Sequence, residues 1–145
     1  MNGNNDLIMK YREQAISTMS KGELVVALYD ELLKNLKYGS LMLKQDNAAA
    51  AAKCTKKCRD IINYLLVTLD MKYDISVTLS RTYSYFLGQI ILASAKGDAS
   101  YLDRILPQAQ ELRDAWAQTE KKIRMPNGEN SAGSGSESGQ VQNGI

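Results

Sequence analysis

The chain has 145 residues, a formal net charge of +2 and a sequence pI near 8.5. This length fits one domain with a substantial core, and the mild charge lacks the strong basic stripe of nucleic-acid-binding domains. The first residues carry no basic and apolar leader, and no apolar run approaches the ~18 residues of a membrane span. We therefore expect a protein that is neither secreted by a standard signal nor inserted in a membrane.

The N-terminal part of the chain, residues 1–19, is rich in Asn and Gly and carries a few apolar residues. Leu7, Ile8 and Tyr11 fall at helical spacing among them. This pattern predicts a short amphipathic arm beside the main domain.

Two helices follow the arm. Ser20 and Glu23 form a capping-box pattern, and apolar residues then recur at three- and four-residue steps, which predicts a first helix over 20–44. Asn47 is suited to cap a second helix, because five alanines, the strongest helix formers, come directly after it.

The second helix carries the chain's two cysteines, Cys54 and Cys58, on its apolar stripe. With no histidine in the chain they cannot complete a tetrahedral zinc site, so we expect both to pack in the core. The opposite side holds Lys53, Lys56 and Lys57 without aromatic or arginine-rich neighbours, which favours a solvated face over a nucleic-acid site.

The third helix follows a turn, 69–76, in which Met71 and Tyr73 are unusually apolar for a connector. We expect Asp74 or Ser76 to cap this helix. Its inward stripe is predicted to be Ile75, Leu79, Tyr83, Phe86, Ile90 and Ala93. A second apolar set lies on the far side of the helix: Val77, Tyr85, Gly88, Ile91 and Leu92. A helix that is apolar nearly all round must be covered on both sides.

A fourth helix is predicted after Gly97, which ends the third helix, and Asp98, which caps the fourth. Pro107 falls inside it and should bend or interrupt it, because proline removes a helical hydrogen bond. Four helices joined by connections of about three to five residues predict an all-α, antiparallel up-down-up-down four-helix bundle. We expect an arm over 1–19, a bundle over 20–125 and a disordered Gly/Ser-rich tail over 126–145.

Common catalytic arrangements are missing from the sequence. Without histidine there is no Ser-His or Cys-His pair, and no glycine-rich phosphate loop follows a strand. We expect neither an enzyme nor a cofactor. The apolar outer side of the third helix instead predicts a binding surface, covered by the arm, by a second copy of the chain or by a peptide of another protein.

Four motifs in order resemble the flagellar secretion chaperone family FliS over about residues 8–124. They are Tyr-x(4)-Ile-x-Thr-x-Ser-x-x-Glu-Leu-x(3)-Leu-Tyr-Asp over 11–30, the turn 69–76, Leu-x(3)-Tyr-x-Tyr over 79–85, and Glu-Leu-Arg-Asp-Ala-Trp over 111–116. The chain departs from the family at Lys21-Gly22, where a proline is common after the cap serine.

This resemblance implies a cytoplasmic bundle that binds the disordered C-terminal segment of flagellin and prevents premature polymerisation. It also implies docking on the export-gate protein FlhA, with the arm acting in docking and in covering the groove. The expected partner-binding residues are Leu7, Ile8, Tyr11, Met71, Tyr73, Val77, Tyr85, Gly88, Ile91 and Leu92.

Two other interpretations remain open at this point. The first is a self-associating structural module, whose dimer interface would be the outer stripe of the third helix. The second is nucleic-acid binding through the three lysines of the second helix. The first interpretation predicts a stable dimer, whereas a chaperone should be a monomer or a weak homodimer that responds to peptide.

Overall fold

Four helices make up the part of the chain that the structure, a computed structural model, describes, residues 20–124. Helix α1 spans Lys21–Lys44, α2 spans Ala48–Val67, α3 spans Asp74–Lys96 and α4 spans Ser100–Arg124. No strand occurs within these residues, and the all-α four-helix bundle predicted from the sequence is confirmed. The arm and the tail lie outside the described residues.

The helices form a ring in which each packs on its neighbours in the chain and α4 closes back on α1. Helix α1 therefore lies diagonally across from α3. The most extensive contacts are those that α1 makes with α2 and α4, whereas α3 makes fewer contacts with either neighbour. This order is that of an up-down-up-down bundle, with α1 as its best-packed helix.

The core is filled by the inward stripes of all four helices, as the periodicity of the sequence indicates. Both cysteines are buried free thiols, as expected. The side chains that are wholly buried include Leu28, Tyr29, Leu32, Cys58, Ile61, Ile62, Phe86, Ile90, Ile105 and Ala109. Burying this apolar surface is the main favourable contribution to folding.

Most helix ends follow the expected local chemistry. The Ser20 hydroxyl accepts from the Glu23 N–H at 3.0 Å, and the Glu23 carboxylate accepts from the Ser20 N–H at 2.8 Å, which completes the capping box. Asn47 caps α2 through the Ala50 N–H at 3.2 Å. Gly97 ends α3 with a φ of 63°, a left-handed conformation that glycine adopts without steric cost.

The start of α3 differs from the prediction that Asp74 or Ser76 caps it. Tyr73 occupies the N-cap position and makes no side-chain capping bond, while Asp74 is the first residue of the helix. Ser76 lies within the first turn, fully buried, where its backbone N–H bonds to the Tyr73 carbonyl at 3.0 Å. Helix α3 therefore begins one to three residues earlier than expected, and the connector before it spans 68–73.

Two further expectations about the helices differ from the structure, the inward position of Ile75 and an interruption of α4 at Pro107. Ile75 was placed on the inward stripe of α3, but it is 41% exposed because it lies in the first turn, at the end of the bundle. Pro107 does not interrupt α4, which continues from Ser100 to Arg124. Pro107 is exposed, so the Asp103 carbonyl that loses its helical partner can bond to water, while buried neighbours hold both sides of the helix.

Candidate functional site

The outer side of α3 carries an apolar surface that the described residues leave uncovered. We call Val77, Tyr85, Gly88 and Ile91 the α3 face. Tyr85 is 41% exposed and Ile91 is 48% exposed, on a helix whose other side is fully buried. Leu92, which was predicted to belong to this set, is half-buried at its edge. Several exposed apolar side chains on one side of a helix, here with the exposed Arg81 between Val77 and Tyr85, are typical of binding surfaces.

Gly88 makes a notch in the middle of the α3 face. A Cβ built at this position would meet no atom within 4 Å, so the space above the backbone is open. Tyr85 stands one turn before it, supported by the buried ring of Phe86 at a centroid distance of 6.3 Å. The backbone of a bound segment can approach closely here, since no side chain stands in the way.

The connector before α3 carries further apolar residues at one end of the bundle. Met71 is 55% exposed, as expected for a turn residue with no core position. Tyr73 is half-buried, and the Lys72 ammonium lies 5.4 Å from the centre of its ring. Val67, the last residue of α2, is 78% exposed at the same end of the bundle, although it was not among the predicted site residues.

A cavity of about 240 Å³ opens at the same end of the bundle, where α1 begins and α4 ends. Sequence reasoning did not predict it. Its residues come from all four helices and from the connector before α3. The one possible signal in the sequence was that the apolar stripes of the helices continue to this end of the bundle. The apolar part of its lining is Val25, Leu65, Leu69, Leu79, Trp116 and Ile123.

Tyr83 lines this cavity and belongs to a buried pair of tyrosines. Its hydroxyl lies 2.5 Å from that of Tyr29, within hydrogen-bonding distance. Burial raises the pKa of Tyr83 to about 12 and raises the pKa of Tyr29 further above its ordinary value. Both hydroxyls are therefore neutral hydrogen-bonding groups beneath an apolar recess.

The mouth of the cavity is polar on the α1 side. The Ser20 hydroxyl donates to the Glu120 carboxylate at 2.8 Å, so the start of α1 is tied to the last turns of α4. Gly22 makes this contact possible, because a Cβ there would clash with the Glu120 carboxylate. Leu7, Ile8 and Tyr11 precede this point in the chain and lie outside the described residues.

The described residues offer little for catalysis or metal binding. Within residues 20–124 no group of three or more His, Cys, Asp or Glu side chains could hold a metal ion. Burial raises the pKa of the Cys58 thiol far above its ordinary value, so this cysteine is not a reactive thiolate. No helix of this part is both long and apolar enough to cross a membrane.

The three lysines of α2 are solvated, as the sequence indicates. Lys53, Lys56 and Lys57 are all exposed, and Lys56 pairs with Asp60 at 3.1 Å on the same helix. An exposed pair of this kind contributes little to stability.

The model of the family described as "Flagellar protein FliS" matches residues 4–123 of the chain. The chain belongs to the FliS family. The family indicated by the sequence motifs is thereby confirmed. FliS proteins are flagellar secretion chaperones rather than enzymes, which agrees with an uncovered apolar surface.

Several characterised FliS proteins are similar to this chain. The flagellar secretion chaperone FliS of Bacillus subtilis is 26% identical over 121 residues, which cover 81% of this chain and 91% of the relative. The flagellar secretion chaperone FliS of Escherichia coli is 28% identical over 110 residues, covering 74% and 81% respectively. That of Vibrio cholerae is 28% identical over 108 residues, covering 73% and 79%.

Proposed function

We propose that this FliS protein binds the disordered C-terminal segment of flagellin in the cytosol, prevents its premature polymerisation and delivers it for export. The observation that carries this proposal is the uncovered apolar α3 face. Membership of a family of flagellar export chaperones supports the choice of a flagellar client.

The shape of the α3 face suits an unfolded segment that becomes ordered on binding. Tyr85 and Ile91 provide apolar anchor points, and the notch at Gly88 lets the client backbone lie close to the helix. Tyrosine packs through its ring while its hydroxyl stays hydrated, so it suits a surface that is alternately bare and covered. The connector residues Met71 and Tyr73 extend the path of the client around the end of the bundle.

A single helix face is too small for this task, because ordering a disordered segment costs on the order of 2–5 kcal/mol. The cavity of about 240 Å³ offers a second apolar recess at the end of the same path. We assign it to one large apolar side chain, contributed by the client when bound and by Leu7, Ile8 or Tyr11 of the arm when the client is absent.

We further propose that the loaded chaperone docks on the export-gate protein FlhA through the arm. In this scheme the client displaces the arm from the apolar surface and so makes Leu7, Ile8 and Tyr11 available to the gate. The support for this step comes from the family resemblance.

The test is a titration of a labelled peptide of the flagellin C-terminal segment, followed by fluorescence anisotropy. Tyr85→Glu combined with Ile91→Glu should weaken binding at least about tenfold, because two apolar contacts are lost and two charges must be desolvated. Ser94→Glu is the control, since Ser94 is an exposed residue of the same helix outside the α3 face. Equal affinities for the unaltered protein and both variants, each shown to be folded by circular dichroism, would refute the proposal.

The same variants examine the alternative that the α3 face is a homodimer interface of a structural module. Light scattering at several protein concentrations reports the oligomeric state directly. A dimer that Tyr85→Glu dissociates, in a protein that does not respond to the peptide, would favour that alternative.

A further inference from the structure

The surface beside the α3 face carries several bases and few acids. Within α3, Asp74 is the only acidic residue and stands at the start of the helix, whereas Arg81 and Lys96 are exposed bases. On the adjoining side of α4, the Arg104 guanidinium donates a hydrogen bond to the Gln89 side-chain oxygen of α3 at 3.1 Å. Positive charge therefore lies next to the α3 face, where α3 meets α4.

Two of these bases share one aromatic ring at the end of α3. The Lys96 ammonium lies 5.8 Å from the centre of the Tyr101 ring, and the Arg104 guanidinium carbon lies 5.1 Å from it. Both distances are within the range of cation–π attraction, which restrains the two cations without neutralising them. Tyr101 itself is half-buried against the core. We call Lys96, Tyr101 and Arg104 the basic cluster.

The acids next to the basic cluster in the sequence have other partners. The Asp98 carboxylate accepts from the Ser100 N–H at 2.9 Å, and this bond is the main reason why the pKa of Asp98 lies below its ordinary value. Asp103 pairs with Lys44 of α1 at 3.0 Å. Neither cation of the cluster forms an ion pair within the described range 20–124. Because Asp98 offsets at most one of the two cations, the cluster keeps a net positive charge.

The basic cluster lies in line with the α3 face. Gly88, Leu92 and Lys96 are spaced four residues apart, so they follow one another on the same side of α3. Lys96 lies about 16 Å from Tyr85 along the helix axis, since each residue rises 1.5 Å. An extended chain covers that distance in about five residues. The cluster is at the end of the bundle opposite to the connector 68–73 and the cavity.

We propose that the basic cluster binds an acidic side chain of the client while the α3 face holds an apolar one. This inference rests on the client-binding function proposed above and adds the chemistry of a second contact. A carboxylate accepts charge-assisted hydrogen bonds from a guanidinium and an ammonium, and Arg104 has N–H groups besides the one bound to Gln89. The Tyr101 ring offers an apolar surface to the methylene groups of the same side chain. The client should therefore carry Asp or Glu about five residues from an apolar residue.

The charged contact gives the client a fixed register. Apolar contacts are non-directional, so the α3 face by itself accepts several alignments of an apolar segment. A charge pair at one end distinguishes these alignments, because a shifted segment leaves the cluster without its acid. The pair is exposed to solvent, so its contribution to affinity is modest and depends on salt. The basic cluster is therefore a specificity contact, and the α3 face remains the main source of affinity.

The first test is the anisotropy titration of the flagellin peptide at about 20 mM and about 500 mM salt, which differ strongly in screening. Lys96→Gln combined with Arg104→Gln should weaken binding about threefold to tenfold at low salt and much less at high salt, where screening already weakens the contact. Lys53→Gln combined with Lys57→Gln is the control. It removes two exposed charges from α2, which lies diagonally across from α4, and should leave the affinity unchanged. Circular dichroism verifies that both variants are folded.

The second test identifies the acid of the client. Each Asp and Glu of the peptide is replaced in turn by Asn or Gln, and every peptide is titrated against the unaltered protein and the Lys96→Gln/Arg104→Gln variant. One replacement should weaken binding to the unaltered protein about threefold to tenfold and cause no further loss in the variant, because both changes remove the same contact. The other replacements should have the same effect on both proteins.

Two results would overturn the inference. One is an affinity for the peptide that Lys96→Gln/Arg104→Gln leaves unchanged at both salt concentrations. The other is a loss that the α2 control shares or that adds to the loss from every peptide replacement, which would indicate general electrostatic attraction in place of a defined contact. Either result, together with weaker binding by Tyr85→Glu/Ile91→Glu, would leave the proposed function intact. A peptide that the unaltered protein does not bind would overturn both.

Discussion

Gly39 and Gly88 both lie inside helices, in opposite surroundings. Gly39 is buried in α1, where a Cβ would lie 3.1 Å from Cys54 Cβ on α2 and 3.3 Å from Leu102 Cδ1 on α4. The absence of a side chain thus lets α1 approach both of its neighbours. At Gly88 the same atom would meet nothing.

These two glycines give a matched pair of substitutions. Gly39→Ala should leave the free energy of unfolding about 1–3 kcal/mol lower than Gly88→Ala does, because both gain helix propensity but only at Gly39 does the added methyl group overpack the helix contacts. Gly88→Ala should raise it by about 0.5–1 kcal/mol through helix propensity. Urea unfolding followed by circular dichroism measures both, and equal shifts for the two variants would contradict the close approach at Gly39.

The buried pair of Tyr29 and Tyr83 makes the free energy of unfolding depend on pH in the alkaline range. Below pH 10 both tyrosines are protonated whether the chain is folded or unfolded, so they contribute no pH dependence. Above pH 10 the unfolded chain releases these protons, while the folded protein retains that of Tyr83 up to about pH 12. The free energy of unfolding should therefore fall by up to about 1.4 kcal/mol per pH unit for each tyrosine.

Urea unfolding between about pH 9 and pH 11 measures this slope. The double variant Tyr29→Phe/Tyr83→Phe is the reference, because it removes both buried phenols and keeps the ring packing. Its stability should decline less steeply over the same interval. Parallel curves would mean that the two tyrosines titrate normally in the folded protein.

The ends of the helices explain which elements could be predicted from the sequence. Ser20, Asn47 and Gly97 were identified correctly because a cap depends on residues within one turn of chain. The start of α3 was not, since the N-cap position is occupied by Tyr73, which has no capping bond to reveal it. Ile75 was misplaced because periodicity describes the direction of a side chain and not how far the neighbouring helix extends.

Helix α4 keeps its continuity at the cost of one hydrogen bond. Replacing Pro107 with alanine restores the N–H that can bond to the Asp103 carbonyl and should raise the free energy of unfolding by about 1–3 kcal/mol. Gln108→Ala is the control, since Gln108 is an exposed neighbour that already has an N–H. A decrease in stability in Pro107→Ala would show that the proline is matched to a local conformation that alanine does not favour.

The molecule as a whole contains features that no local pattern encodes. The cavity is formed by residues far apart in the chain; Lys21 and Ile123, for example, both line it. Apolar periodicity predicted the bundle and the exposed side of α3, because both follow from the spacing within single helices. The cavity depends on how helix ends and helix pairs meet, which spacing alone does not determine.

The proposed role of the arm predicts a separation of two activities of the whole molecule. Removing residues 1–12 should leave binding of the flagellin peptide unchanged or stronger, since a competing segment is gone, and should weaken capture of the loaded chaperone by FlhA. Titration calorimetry of each step measures the two affinities. If the truncated protein no longer bound the peptide, the arm would be part of the client groove.

The hydrogen bond between Ser20 and Glu120 has a topological consequence. It holds the first residue before α1 against the last turns of α4, so a short linker could join residue 124 to residue 20 and close the chain into a ring. New ends could then be opened in the connector 45–47, at the other end of the bundle. Such a circular permutant would keep all four helices and would show whether a client needs a free chain end beside the cavity.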